Sequence, residues 1–165
     1  MQFSQDSFYM ALRNRLAVVN PQRMVTVEGV SRPAVVVTAD EPATPAWPAT
    51  ETFYLVFGPA RPVATTASCR RPMLAMDCAI TYRTAGTTPN LGVDRGRLLA
   101  QLDLELLQIC SPPSTSKQNF TVTPAANLGT QVLWERPHLE PVEVLPGELR
   151  RTAKTTIFFY PEMDV

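Results

Sequence analysis

At 165 residues and 18.2 kDa the chain has the size of one domain, and 45% apolar residues are enough for a proper core. Fifteen basic residues balance fifteen acidic ones, which excludes a global basic footprint for nucleic acid and an acidic tail alike. Sixteen prolines against seven glycines, gathered in segments, mark long and stiff connections.

The opening segment, from about Gln5 to Asn20, has helical spacing at Phe8, Leu12, Leu16 and Val19, which are expected to face the core. Arg13, Asn14 and Arg15 are expected to point away. Asp6 or Ser4 is placed to cap the start, and Asn20-Pro21 stops the helix. Met24 to Gly29 reads as a strand and Gly29 to Arg32 as a turn. The Val35-Val36-Val37 run within Pro33 to Ala39 suits a strand covered on both sides. Asp40 to Thr50 holds three prolines and Trp47; it is no helix interior and is long for a loop in a small domain. Phe53 to Phe57 reads as a strand ended by Gly58-Pro59, followed by an irregular polar stretch from Ala60 to Arg71.

Leu74, Met76, Cys78, Ile80 and Tyr82 then alternate with Ala75, Asp77, Ala79, Thr81 and Arg83, the cleanest period of two in the chain. One face belongs to the helices, and the other is small and polar. Asp94-Arg95-Gly96-Arg97 announces a second helix. At about 100° per residue, Leu98, Leu99, Leu102, Leu106 and Ile109 share one stripe, which packs on the sheet. Ala100, Leu104 and Leu107 fall roughly opposite, with Arg97, Gln101, Glu105 and Gln108 in the polar gap. That second apolar patch is either more core or a subunit contact, since exposed patches of this kind mark interfaces. Cys110 to Pro113 ends the helix. Ser111 to Gly129 reads as a second long polar loop, Gln131 to Arg136 as a strand, Pro137 to Glu148 as a connection and Arg150 to Tyr160 as the last long strand. The whole predicts one α+β domain over residues 1–165, a mixed or antiparallel sheet with both helices on one face and long proline-rich loops.

The chemistry of known active sites is missing from this order. His138 is the only histidine, it falls in an expected loop, and no G-x-S-x-G nucleophile motif accompanies it. No phosphate-binding or dinucleotide glycine loop, HExxH, CxxC or EF-hand is present, so no cofactor and no metal ligand is expected. Asp40-Glu41 reads as a solvated turn, and Asp103 and Glu105 are not on one side of their helix. Cys69, Cys78 and Cys110 are an odd number without metal-like spacing and read as free thiols of a reducing cytoplasm. The apolar runs are too short for a membrane span, and Met1 to Asp6 lacks the character of a signal peptide. Arg70-Arg71 and Arg150-Arg151-Lys154 are short basic clusters, either solvated surface or a contact for DNA or an acidic partner. Trp47 is either an interface anchor or a side chain folded back onto its own domain.

The order of elements resembles the tail-terminator and neck proteins of tailed bacteriophages and prophages. The resemblance rests on the Phe8-to-Leu16 helix, the intervening strands, the helix from Asp94 to Ile109 and the closing strand. It implies a small α+β virion protein without catalytic residues, assembled in the bacterial host cytoplasm. Members form rings, commonly homohexamers, on the head-proximal end of a finished tail tube, where they stop its growth and offer a docking surface to the head connector. Partners implied are further copies of the chain, the tail-tube protein and a head-connector or neck protein, with DNA passing through the lumen without specific binding. Trp47, Ala100, Leu104 and Leu107 are the expected subunit contacts. A head-completion or neck adaptor is the nearest alternative, and a small cytosolic enzyme or ligand-binding α+β domain the remote one.

Overall fold

The computed structural model describes residues 1–40, 49–63 and 71–162. Helix α1 (Gln2–Val19) buries Phe8, Leu12 and Leu16 as the spacing predicts. It begins earlier than expected, so Ser4 and Asp6 lie inside it rather than capping it; Ser4 is buried and Asp6 accepts a bond from Gln2. Val19, at the last position of the helix, is 40% exposed and not in the core. The chain leaves the helix through Asn20, whose carboxamide oxygen accepts the Gln22 amide.

Strands β1 (Met24–Val27) and β2 (Val30–Pro33) form an antiparallel hairpin. The expected turn at Gly29 to Arg32 therefore moves back to Glu28-Gly29, whose φ values of 49° and 79° suit a two-residue hairpin loop. Strand β3 (Val35–Val37) is buried along its length and pairs parallel with β4 (Phe53–Pro62). Gly58-Pro59 does not end β4. The register shifts between Phe57 and Ala60, so the proline, which has no N–H to give to a ladder, sits in a bulge and pairing resumes at Ala60. The expected irregular stretch thus begins later than Ala60. Residues 41–48, with the proline-rich loop and Trp47, and 64–70, with Cys69 and Arg70, lie outside the described residues.

Strand β5 (Leu74–Thr84) pairs over eleven residues with the last strand, β10 (Glu148–Phe159). Between them in the chain come α2 (Arg95–Ile109), β6 (Ser114–Asn119), β7 (Ala126–Trp134) and two short strands, β8 (His138–Leu139) and β9 (Glu143–Leu145). The main sheet runs β3-β4-β5-β10-β7-β6, with β8 and β9 also on β10. Among the described residues only the β3–β4 pair is parallel, so the sheet is mixed and the fold is α+β. Two expected connections turn out to be strands. Ser111 to Gly129 contains β6 and the first residues of β7, and Pro137 to Glu148 contains β8 and β9, which cover the half of β10 that β7 does not reach.

The alternation in β5 decides where the helices go. Met76, Cys78, Ile80 and Tyr82 are buried on one face. Gln5 of α1 reaches the Met76 sulfur and Asp103 of α2 accepts a 2.6 Å bond from the Tyr82 hydroxyl, so both helices lie on that same face. Edge-to-face rings fill the space between, with Phe8 against Trp134 at 5.0 Å and Phe53 against Tyr82 at 5.2 Å.

One ion pair ties the two helical segments together. Arg23, just past α1, donates to both Glu105 carboxylate oxygens at 2.6 and 2.9 Å, and Asn20 adds a third bond. Glu105 is buried, not in a solvated gap as its place on the helix suggests. Burial pushes its carboxyl up, but the Arg23 and Asn20 hydrogen bonds and the Arg23 charge outweigh that and hold it below the usual carboxylate range. Removing one partner strands the other in the interior. Glu105→Leu or Arg23→Met alone is therefore expected to cost about 3–5 kcal/mol, and the double substitution clearly less than the sum. Urea unfolding of the four proteins in a double-mutant cycle measures this; additive losses would show that the pair is not coupled.

Candidate assembly surface

The C-terminal end of α2 is where a helix leaves carbonyl oxygens without intrahelical partners. Here α1 and β7 supply the donors. The Arg15 guanidinium gives bonds to Ile109 O at 3.0 Å, Pro112 O at 2.7 Å and Ser114 O at 2.8 Å, and its carbon lies 5.3 Å from the centre of the Trp134 ring. The Trp134 indole N–H donates to Cys110 O at 2.8 Å, and its backbone N–H to Pro113 O at 3.0 Å. Arg15 thus points into this joint rather than away from the body. Together these bonds fix the helix end, the start of β6 and the end of β7.

The fixed joint leaves a recess of about 540 Å³ beside α2, lined mainly by Leu104, Leu107, Pro113, Trp134, Arg136 and Pro137. Leu99, Leu102, Leu106 and Ile109 are buried on the other side of the helix, while Leu104 is 63% exposed and Leu107 half-buried. The opposite sector is therefore a surface patch and not more core. Ala100 is exposed but outside the recess, a turn nearer the start of α2. Trp47 lies outside the described residues. Trp134 and Pro137 were not legible as members of this surface, because they come from β7 and the segment after it, distant in sequence from α2, and Pro113 was read only as part of the helix stop.

At the other end of α2 stands a second apolar feature that its sequence did not advertise. The loop Thr87–Asp94 carries Leu91 and Val93, which are 85% and 88% exposed. It is held from inside by Asp94, which accepts bonds from the Thr87 amide at 2.8 Å, the Thr87 hydroxyl at 2.7 Å and the Asn90 carboxamide at 3.2 Å. Leu91 has φ 50° and ψ 30°, the left-handed region that a leucine rarely adopts. Gly92 has φ 76°, and a Cβ there would lie 2.9 Å from Ala85 O and closer still to the Arg95 guanidinium, so the turn needs glycine.

On the outer face of the sheet most of the charges are paired. Arg61 pairs with Asp77 at 2.8 Å, Arg150 with Glu143 at 2.6 Å, Lys154 with Glu140 at 2.8 Å, and Arg83 with Glu148. Arg151, on the helix side, lies 2.9 Å from Asp103. The cluster of Arg150, Arg151 and Lys154 is thus neutralised piece by piece, as solvated and half-buried pairs. His138 is exposed, as expected, though on strand β8 rather than in a loop. It borders a recess of about 610 Å³ with Asp77, Glu135, Lys154 and Thr156.

Burial pushes both described thiols up, that of Cys110 to about 12, so neither is a thiolate at neutral pH. Among the described residues no three of His, Cys, Asp and Glu gather as a metal-binding group, and no helix is long and apolar enough to cross a membrane.

The Asp94 bonds yield a titration test. The Thr87 hydroxyl, the Thr87 amide and the Asn90 carboxamide hold the carboxyl down to about 2. A depressed carboxyl stabilises above its unfolded pKa, near 3.9, and loses that contribution as pH falls through the folded value. The loop is therefore expected to be intact at pH 5 and to loosen between about pH 4 and pH 2. Thr87→Val removes one donor and should raise the Asp94 midpoint, read from its side-chain carbon shift by NMR. An unchanged midpoint would mean that the hydroxyl does not anchor the loop. No family model matches the chain and no curated protein sequence matches it, so the functional reading rests on these residues and their geometry.

Proposed function

We propose that this chain is a structural ring subunit of a tailed-phage particle, of the tail-terminator type, which ends growth of the tail tube and presents a docking surface to the head connector. The observation that carries the reading is the exposed patch on α2, where Leu104 faces solvent beside a largely apolar recess that no side chain of the described residues fills. The protein acts by assembly and performs no reaction.

The sheet edges favour the same reading. At one edge the Gln118 amide of β6 donates to the Ser7 hydroxyl of α1 at 2.9 Å, so the helix caps the strand. At the other, β3 is three residues long and the backbone beside it is held by the β1–β2 hairpin through Ala34 N to Arg23 O. Blunted edges prevent open-ended strand addition, and association is left to side-chain surfaces. That suits a component whose work is to stop a polymer. The near-zero net charge is compatible with close packing of identical subunits and with DNA passing through a lumen that does not grip it.

The purified protein should form closed rings, six-fold by the family resemblance, visible by electron microscopy and light scattering, and should bind the end of a tail-tube assembly. A protein that stays monomeric at every concentration and ignores the tube would sink the proposal. Leu104→Glu should disperse the ring while changing monomer stability by no more than about 0.5 kcal/mol, since the charge is desolvated only in the contact. Leu102→Glu, at a fully buried position, should abolish the folded monomer. His138→Ala should leave assembly unaltered; a turnover activity lost with His138 would contradict the structural role.

A further inference from the structure

We propose that residues 160–162, the chain just past β10, are a charge-held latch that stays closed over Lys117 while Glu162 is ionised and lifts when that charge is lost. The inference stands apart from the ring reading and rests on how the segment is held.

Lys117 is the one buried residue of β6, only 2% exposed. It sits where the β6–β7 register shifts, between Ser116 and Gln118. Such an irregularity re-aims a side chain, and this one turns toward the end of β10, 5.9 Å from the centre of the Phe159 ring. Its ammonium donates to Tyr160 O at 2.7 Å. A Glu162 carboxylate oxygen lies 2.9 Å away but off the direction of a hydrogen bond, so charge is what holds that side chain. Burial pulls the ammonium below the ordinary lysine value, and the carboxylate offsets part of the cost of keeping a cation there.

Little else fastens the segment. Strand β10 ends at Phe159, and the next three residues belong to no helix or strand. Among the described residues no backbone-to-backbone hydrogen bond ties Tyr160, Pro161 or Glu162 to the body. Tyr160 is 43% exposed and gives no apolar anchor. The other charges around the latch are the Met1 amino group, which touches Glu162, Asp6 of α1, which acts on that amino group, and Arg71 on the cavity rim. The segment walls one side of a cavity of about 520 Å³ that Phe3, Asn119, Leu128 and Thr130 also line. Lifting it therefore lets water reach the ammonium and leaves the sheet paired.

A permanent ion pair and a latch differ in the sign of one shift. If Glu162 loses its charge and Lys117 stays buried, the ammonium is left without its counter-charge and its pKa falls further. If the segment lifts, the ammonium is hydrated and its pKa rises toward about 10.4, the value of a free lysine.

The chain holds two lysines, Lys117 and the exposed Lys154, so NMR of the lysine side-chain carbons follows both in the full protein. Glu162→Gln stands in for the protonated acid. In this variant the Lys117 midpoint should move up while that of Lys154 stays in place. The backbone heteronuclear NOE at residue 162 should fall to the value of a mobile segment, with Ile157 as rigid as before and the thermal melt still cooperative. Lys117→Met, which removes the cation and keeps an apolar stem, should free residue 162 to the same extent. In the wild type, acidification should lower the NOE at Glu162 in step with the titration of its own carboxyl. A Lys117 midpoint that falls, or an NOE at residue 162 that does not change, would overturn the latch. If Glu162→Gln does not fold, the wild-type titration decides: an NOE that holds steady while the Glu162 carboxyl titrates makes the segment a fixed part of the fold.

Discussion

The Arg15 guanidinium is the joint on which the arrangement of helices and strands depends. Three carbonyl oxygens from three positions around the end of α2 converge on it, and the Trp134 ring lies against it. Among the described residues no carboxylate bonds to it. Burial makes the cation harder to hold, which pulls its pKa below the usual arginine value, and the carbonyl dipoles and the aromatic face offset that cost. Lysine, a point charge with three donors and no planar fork, cannot span the same three acceptors in one plane. The guanidinium thus sets the position of the α2 end relative to α1, β6 and β7. The recess beside Leu104 exists because those three elements are held apart at fixed distances.

Arg23 does for the other side of α2 what Arg15 does for its end, by a different device. Its partner is a buried carboxylate, and Asn20, Gln101 and Glu51 complete the network. Lys117 is a third case. It is buried in β6, burial holds its ammonium below the ordinary value, and it donates to Tyr160 O at 2.7 Å while pairing with Glu162. All three cations join elements distant in sequence, and each arrives with its hydrogen bonds satisfied. The formal neutrality of the chain is therefore more than a surface property, since part of that charge is spent inside the fold on specific pairs.

The sequence was most legible where one face was buried and the other wet. The alternation of β5, the stripe of α2 and the Phe8, Leu12 and Leu16 spacing of α1 all appear in the structure, because burial on one side imposes a period that composition cannot hide. Reading failed where strands are polar. Ser114 to Asn119 and the start of β7 carry few apolar residues, since they form a hairpin that α1 covers on one side only. Their backbone hydrogen bonds, rather than side-chain burial, hold them as strands. It also failed for charged residues on helix flanks. Arg15 and Glu105 looked solvated because helical position says which way a side chain starts, and not what carbonyl or counter-charge waits there. The α2 patch was legible as an angle on a wheel, but its walls at Pro113, Trp134 and Pro137 were not, and the Leu91–Val93 loop was missed because a turn sequence does not reveal that its apolar residues stay outside.

That loop and the recess occupy the two ends of α2, and if the proposed ring reading holds, this placement bears on how such a ring would close. A head-to-tail contact between identical copies forms a ring only if the angle between its two halves is the same in every subunit; slack in that angle gives open chains or rings of mixed size. A helix of fifteen residues, about 22 Å long, is a stiff spacer. Its start is tied to the loop by Asp94, its middle to β5 through the Asp103–Tyr82 bond and to the α1–β1 connection through the Glu105–Arg23 pair, and its end to α1 by Arg15. Each tie removes one way for the two ends to tilt independently. The buried polar contacts around α2 thus do two things at once: each is costly to break by removing one partner, and together they fix the position of the helix at its start, middle and end.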